Sequence, residues 1–240
     1  MSDVDLTDQS AGLGGSQPLN GYLATPAGGG PWPGLVMVHE IFGMDDVMRR
    51  QADRLAAAGY LTLAPDLFTN GGARRCLVST MRAMSSGEGR AFADIEAAKA
   101  ALRESVDCTG KIGIIGFCMG GAFALLSASQ GYDVAAPNYA MLPKDLDAAV
   151  QGACPVVASY RGRDRTQKGA AQKLDAALSR AGVVHDVKEY PKAGHAFLND
   201  AEVGPKVLRP LMKVAHVGPE PESAADAWRR IESFFAEHLH

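Results

Sequence analysis

Cys118 stands in the run Gly116-Phe117-Cys118-Met119-Gly120-Gly121, with a glycine two residues away on either side. That spacing is the nucleophile elbow G-x-S-x-G with sulfur in place of the hydroxyl oxygen, and glycines are what so tight a turn requires. Residues 111–117 read as a strand entering the turn, and the alanine-rich segment beyond it as a helix leaving it. The first N–H groups of such a helix face the thiol, and the positive end of its dipole favours a thiolate or a nascent oxyanion. Cys76, Cys108 and Cys154 lack the glycine frame and read as small buried hydrophobes. The spacings among the four cysteines match no C-x-x-C pattern, so neither a metal site nor a disulfide framework is expected.

A thiol nucleophile needs a base, and the base needs an acid to orient it. His195 follows Pro191-Lys-Ala-Gly194 just beyond a strand predicted over 183–190, and Asp164 follows Arg161-Gly-Arg163 beyond one predicted over 155–160. In these roles His195 takes the thiol proton and later assists water, while Asp164 fixes the imidazole tautomer. Asp133, Asp145 and Asp147 compete with Asp164 for the acid role. The chain order nucleophile, acid, histidine is that of the α/β-hydrolase triad. His39 reads as structural.

These residues must be positioned by a scaffold, and the hydrophobic pattern supplies one. The run 34–39 is continuously apolar behind a Pro/Gly loop, the pattern of a parallel strand covered on both faces. A helix capped by Asp45 follows and ends at Gly59, and a second apolar run covers 60–64, which makes a βαβ unit. The polar stretch 70–89 reads as an excursion over the site, with a helix over 74–84. Further helices are predicted over 89–105, 144–150, 166–181 and 222–238, the last with Ala225, Trp228, Ile231 and Phe235 at helical spacing. The expected fold class is α/β: a mostly parallel central sheet with helices on both faces. An N-terminal arm over 1–18 precedes a single domain over 19–240. Glu40, Cys118, Asp164 and His195 each come just after a predicted strand, where open α/β sheets place their chemistry.

Composition agrees with a soluble globular protein. The 240 residues are 47% hydrophobic and 21% charged, enough for a substantial core. A net charge of -3 with pI near 6.1 offers no basic field, so no nucleic-acid partner is expected. The N-terminus is acidic and polar where a signal peptide is basic and then apolar, and no run is long enough to span a bilayer. A cytoplasmic location without membrane contact is the expectation, and the lack of a disulfide framework fits it.

The segments V-H-E-I-F-G (38–43), A-P-D-L-F (64–68), G-F-C-M-G-G (116–121), Asp164 and G-H-A-F (194–197) together resemble the dienelactone hydrolase family, α/β-hydrolases with a Cys-Asp-His triad. The resemblance runs from about Leu19 to the last helix. It implies that Glu40 interacts with the Cys118 thiol and helps deprotonate it. A carboxylate sheltered from water at a strand end can serve as such a secondary base, since burial raises its pKa toward neutrality. The same resemblance implies an oxyanion hole formed by the backbone N–H groups of Ile41 and Met119. It also implies pocket roles for Phe42 and for Tyr139 in P-N-Y-A.

Family members that open dienelactones hold the substrate carboxylate with arginines, one of them shortly after the histidine. Here that stretch reads Ala196-Phe-Leu-Asn-Asp200 and has none, which argues against the dienelactone substrate. Arg74, Arg75 and Arg82 remain as anion binders in the excursion. The resulting expectation is a cofactor-free, metal-free hydrolase of small carboxylic esters or lactones that works through a cysteine acyl-enzyme. Its rivals are a thioesterase or acyl transferase on the same scaffold, and a thiol-based redox or ligand-binding protein. Acyl-thioester substrates distinguish the first rival, and peroxide modification of Cys118 without hydrolysis the second. Oligomeric state is left open.

Overall fold

The computed structural model describes residues 1–163, 167–204, 207 and 209–240. The chain opens with β1 (Ser2–Asp5), α1 (Thr7–Ala11), β2 (Asn20–Ala24), β3 (Trp32–Val38), α2 (Asp46–Ala57) and β4 (Leu61–Pro65). Two consecutive helices, α3 (Ala73–Ser86) and α4 (Arg90–Glu104), lead into β5 (Cys108–Phe117), α5 (Met119–Ser127) and β6 (Val134–Asn138). The remainder is α6 (Leu146–Ala149), β7 (Val156–Arg161), α7 (Ala170–Arg180), β8 (His185–Tyr190), α8 (Arg209–Val214) and α9 (Pro221–Leu239).

The eight strands among the described residues form one sheet in the order β1-β2-β4-β3-β5-β6-β7-β8. From β4 to β8 every pairing is parallel, and β2 joins β4 and β1 antiparallel. Alternation along the central strands divides the core between the two faces. Leu35, Met37, Ile115 and Phe117 point to the side covered by α2 and α9, where Leu55, Trp228, Ile231 and Phe235 are buried. Val36, Val38, Ile112 and Ile114 point to the opposite side, against Ile95 of α4, Phe123 of α5 and Leu174 of α7.

Local chemistry explains several element ends. The Asp45 carboxylate accepts from the Met48 N–H at 3.0 Å and caps α2 as its position predicts, and Gly87 closes α3 in the left-handed region. Asp94 is buried in α4, where its carboxylate accepts from the Ser16 N–H at 2.5 Å and the Ser16 hydroxyl at 2.7 Å, tying the N-terminal segment to the helical layer. The stretch 132–142, patternless in sequence, contains β6, and α8 has no counterpart among the predicted helices. The helix predicted from 166 begins at Ala170, because Gly169 before it is left-handed at φ 73°.

Candidate active site

Three parallel strands end at one crevice. β3 releases Glu40, β5 releases Cys118, and the loop after β8 carries His195. Cys118 has φ 54° and ψ -113°, a conformation that costs an L residue about 1–3 kcal/mol and persists only where its surroundings enforce it. Enforcement comes from close backbone approach. A Cβ on Gly116 would collide with the Gly120 carbonyl, and one on Gly120 would collide with the Val38 carbonyl of the neighbouring strand. The Cys118 N–H donates to the Asn138 carbonyl at 3.1 Å, and its own carbonyl accepts from Ala122 at 3.2 Å, the first turn of α5. The side chain is half-buried and stands at the helix N-terminus, with Met119 as the first helical residue.

Glu40 is 2% exposed, and burial pushes its carboxyl up to about 7. Two donors partly offset that desolvation. The Tyr139 hydroxyl donates to Oε1 at 3.1 Å, and the Asn199 amide lies 3.4 Å from each carboxylate oxygen. Asp45 adds a repulsive charge that raises the carboxyl further, and the Arg161 guanidinium opposes it. Tyr139 is fully buried with φ 39°, and its phenol is pushed well up, chiefly by burial and then by the charges of Glu40 and Cys118. The hydroxyl therefore lies within electrostatic reach of both. Arg161, 5% exposed at the end of β7, donates to the Tyr139 carbonyl at 3.4 Å, and its guanidinium lies 6.0 Å from the Tyr139 ring centroid.

His195 is half-buried with its ring centroid 5.4 Å from that of Tyr139. Gly194 before it packs so tightly that a Cβ would strike the His216 carbonyl, and Ala196 after it is left-handed at φ 61°. The Gly218 N–H donates to the His195 carbonyl at 2.8 Å, so the 216–218 segment braces this loop. Asp164 lies outside the described residues. The chain leading to it runs beside the histidine loop: Gly162 N–H bonds the Tyr190 carbonyl at 2.9 Å and Arg163 N–H the Ala193 carbonyl at 3.2 Å. Its competitors are engaged elsewhere. Asp133 holds Lys111 and the Ile112 N–H at the opposite strand ends, Asp145 caps α6, and Asp147 pairs with Arg180.

His39 is structural, as its sequence context suggests. Its Nε2 accepts from the Leu67 N–H at 3.0 Å, which leaves Nδ1 to donate to the Glu40 carbonyl at 2.7 Å. That pair of bonds requires a neutral ring, and burial accordingly pushes its pKa down. Ile41 and Phe42 are half-buried beside Glu40, with the Phe42 ring edge against Gly204. Arg74, Arg75 and Arg82 are exposed on α3. A cleft of 690 Å³ runs beside α5, lined by Met84, Ala122, Leu126, Met141 and Leu142.

Three buried polar residues around Glu40 were not singled out by sequence reasoning: Arg161, Asn199 and Gln51. Arg161 and Asn199 lie in segments read for other features, one as the approach to Asp164 and the other as a stretch without arginine. The available signal for Asn199 was its position four residues after His195 in an otherwise apolar run. For Gln51, in an amphipathic helix, there was none.

Comparison with known proteins agrees with this geometry. The model of the dienelactone hydrolase family matches residues 19–239. A relative from Methylorubrum extorquens is 31% identical over 235 residues, 90% of this chain and 76% of its own length. The carboxymethylenebutenolidase of Pseudomonas putida is 30% identical over 185 residues, 72% of this chain and 78% of that protein. Among solved structures, the dienelactone hydrolase-like promiscuous phosphotriesterase P91 from metagenomic libraries superposes with a TM-score of 0.79 at 22% identity, covering 100% of this chain and 98% of its own, a likeness of fold. Elbow, sheet order and sequence match converge on one assignment: the chain belongs to the dienelactone hydrolase family, α/β-hydrolases of carboxylic ester and lactone bonds.

Proposed function

We propose that this hydrolase opens its ester or lactone bond through a thioester on Cys118, with His195 as base, Asp164 as the acid that orients it, and Glu40 as a second base for the thiol. The backbone of Cys118 carries the reading: a left-handed residue at the head of α5 presents sulfur where a helix N-terminus stabilises negative charge. Glu40, with its carboxyl near 7, can take the thiol proton around neutral pH. The thiolate attacks the carbonyl carbon, and the N–H groups of Ile41 and Met119 receive the oxyanion. Collapse breaks the C–O bond, and the leaving alkoxide takes up the proton that the thiol gave away, returned by whichever base accepted it: the His195 imidazolium or the Glu40 carboxyl. In a lactone that alcohol stays tethered to the acyl group. Water, deprotonated by His195, then attacks the thioester and releases the acid and the thiolate. Tyr139 and Phe42 border the acyl group.

The substrate on this reading is a small carboxylic ester or lactone. The stretch 196–200, just after the histidine, where dienelactone-opening relatives are expected to carry an arginine, has none, so a carboxylate on the substrate is not required. A cytoplasmic setting suits cysteines whose spacing makes no disulfide framework. No helix among the described residues is long and apolar enough to cross a membrane. Cys118→Ala and His195→Ala should each abolish turnover of small activated esters, and rapid acid quenching of the wild type should trap an acyl adduct on the Cys118 peptide by mass spectrometry. Wild-type rates in either variant would refute the reading.

A further inference from the structure

Asn199 and Gln51 form a buried polar pair behind Glu40. Asn199 is 2% exposed and Gln51 3%. Gln51 Nε2 donates to the Leu198 carbonyl at 2.9 Å and faces Asn199 Oδ1 at 3.4 Å. With its oxygen turned toward Gln51, Asn199 presents Nδ2 to Glu40, equidistant from the two carboxylate oxygens at 3.4 Å. The backbone that carries it is fixed from two further directions. Trp228 Nε1 donates to the same Leu198 carbonyl at 3.2 Å, and Arg50 grips Asp200 with two bonds of 2.5 and 2.9 Å. The loop that presents His195 is thus anchored to α2, and its fifth residue reaches back to the glutamate.

Building on the assignment of Glu40 as second base, we infer that Asn199 is a positioning residue, oriented by Gln51, that holds the Glu40 carboxylate in its ionised, proton-accepting form. A neutral donor suits this task. It stabilises the carboxylate by hydrogen bonding without pairing it with a full charge, which would hold it ionised and weakly basic. The other groups facing Glu40 are the Tyr139 hydroxyl, the Arg161 guanidinium and the Asp45 carboxylate, joined by the carbonyl bond from His39 to the Glu40 backbone. The Tyr139 hydroxyl and the Asn199 amide both hydrogen-bond the carboxylate.

The test compares Asn199→Leu, Asn199→Asp and Glu40→Gln by the pH dependence of kcat/KM on an activated ester and of Cys118 alkylation by iodoacetamide. Loss of the donor in Asn199→Leu should move the acid limb of both profiles up by about one pH unit, a tenfold loss at low pH that shrinks above neutrality. The isosteric Asn199→Asp should move it further by adding a like charge. Gln51→Met should give a smaller shift in the same direction. An acid limb unmoved in the Asn199 variants, or a rate lowered equally at all pH values, would overturn the positioning role. If Glu40→Gln leaves the limb in place, the Glu40 assignment itself fails; if Glu40→Gln removes it while the Asn199 variants do not move it, only the present inference fails.

Discussion

Cys118 shows how little freedom a reactive residue leaves its neighbours. The left-handed thiol is held by Gly116 and Gly120, each of which abuts backbone where a methyl group would collide. Gly120→Ala must push the elbow away from Val38, and should destabilise the fold by about 1–3 kcal/mol or more, as overpacking against backbone does. Chemical denaturation would read that loss, and ester turnover should fall with it. Gly194→Ala should act differently, displacing the His195 loop from His216 while leaving the elbow intact. Its expected result is a large loss of kcat with Cys118 alkylation preserved. The elbow was legible in sequence because glycine spacing records a backbone constraint directly. Asn199 and Gln51 were not, since a buried amide announces itself only through what it faces.

Elements divide the work between framework and site. α9 contributes Trp228, Ile231 and Phe235 to the core on one face of the sheet, and Phe235 is fully buried with its ring 5.7 Å from that of Tyr60. Phe235→Ala should cost about 3–5 kcal/mol by thermal or denaturant unfolding, with kcat per folded molecule unchanged. A fall in kcat of the folded fraction would mean that α9 positions the site as well as covering the sheet. α9, α2 and α4 were readable from apolar periodicity. β6 was not, because Val134-Ala-Ala-Pro-Asn138 is short, weakly β-forming and carries a proline. It is made a strand by pairing between β5 and β7 rather than by local preference.

For the molecule as a whole, the buried site should leave its mark on stability. Glu40 has its carboxyl raised from 4.5 to about 7 in the folded state, so the folded protein holds a proton there that the unfolded chain releases. Stability from this group is present below about pH 4.5 and lost as pH rises through 7. Glu40→Gln should therefore be more stable than the wild type at pH 8 by on the order of 3 kcal/mol, with the difference fading toward pH 5. Equal stability at both pH values would show that Glu40 is not desolvated as its burial requires. The overall architecture was well anticipated. Continuous apolar runs implied parallel strands, and the strand ends gathered Glu40, Cys118 and His195 at one crevice. The antiparallel addition of β1 was not anticipated, since Ser2-Asp-Val-Asp5 is polar and gains its order from pairing with β2.

The fastening of residues 198–200 onto α2 through Gln51 and Arg50 also governs how the molecule opens locally. A loop joined to a crossover helix by a buried amide and a paired charge cannot detach by itself. Its amides should exchange with solvent hydrogen only when α2 loosens, so the histidine loop and α2 behave as one unit of partial unfolding. In Gln51→Met the two should separate, the Asn199 amide, bonded to the Ala196 carbonyl at 3.1 Å, exchanging well ahead of those in α2.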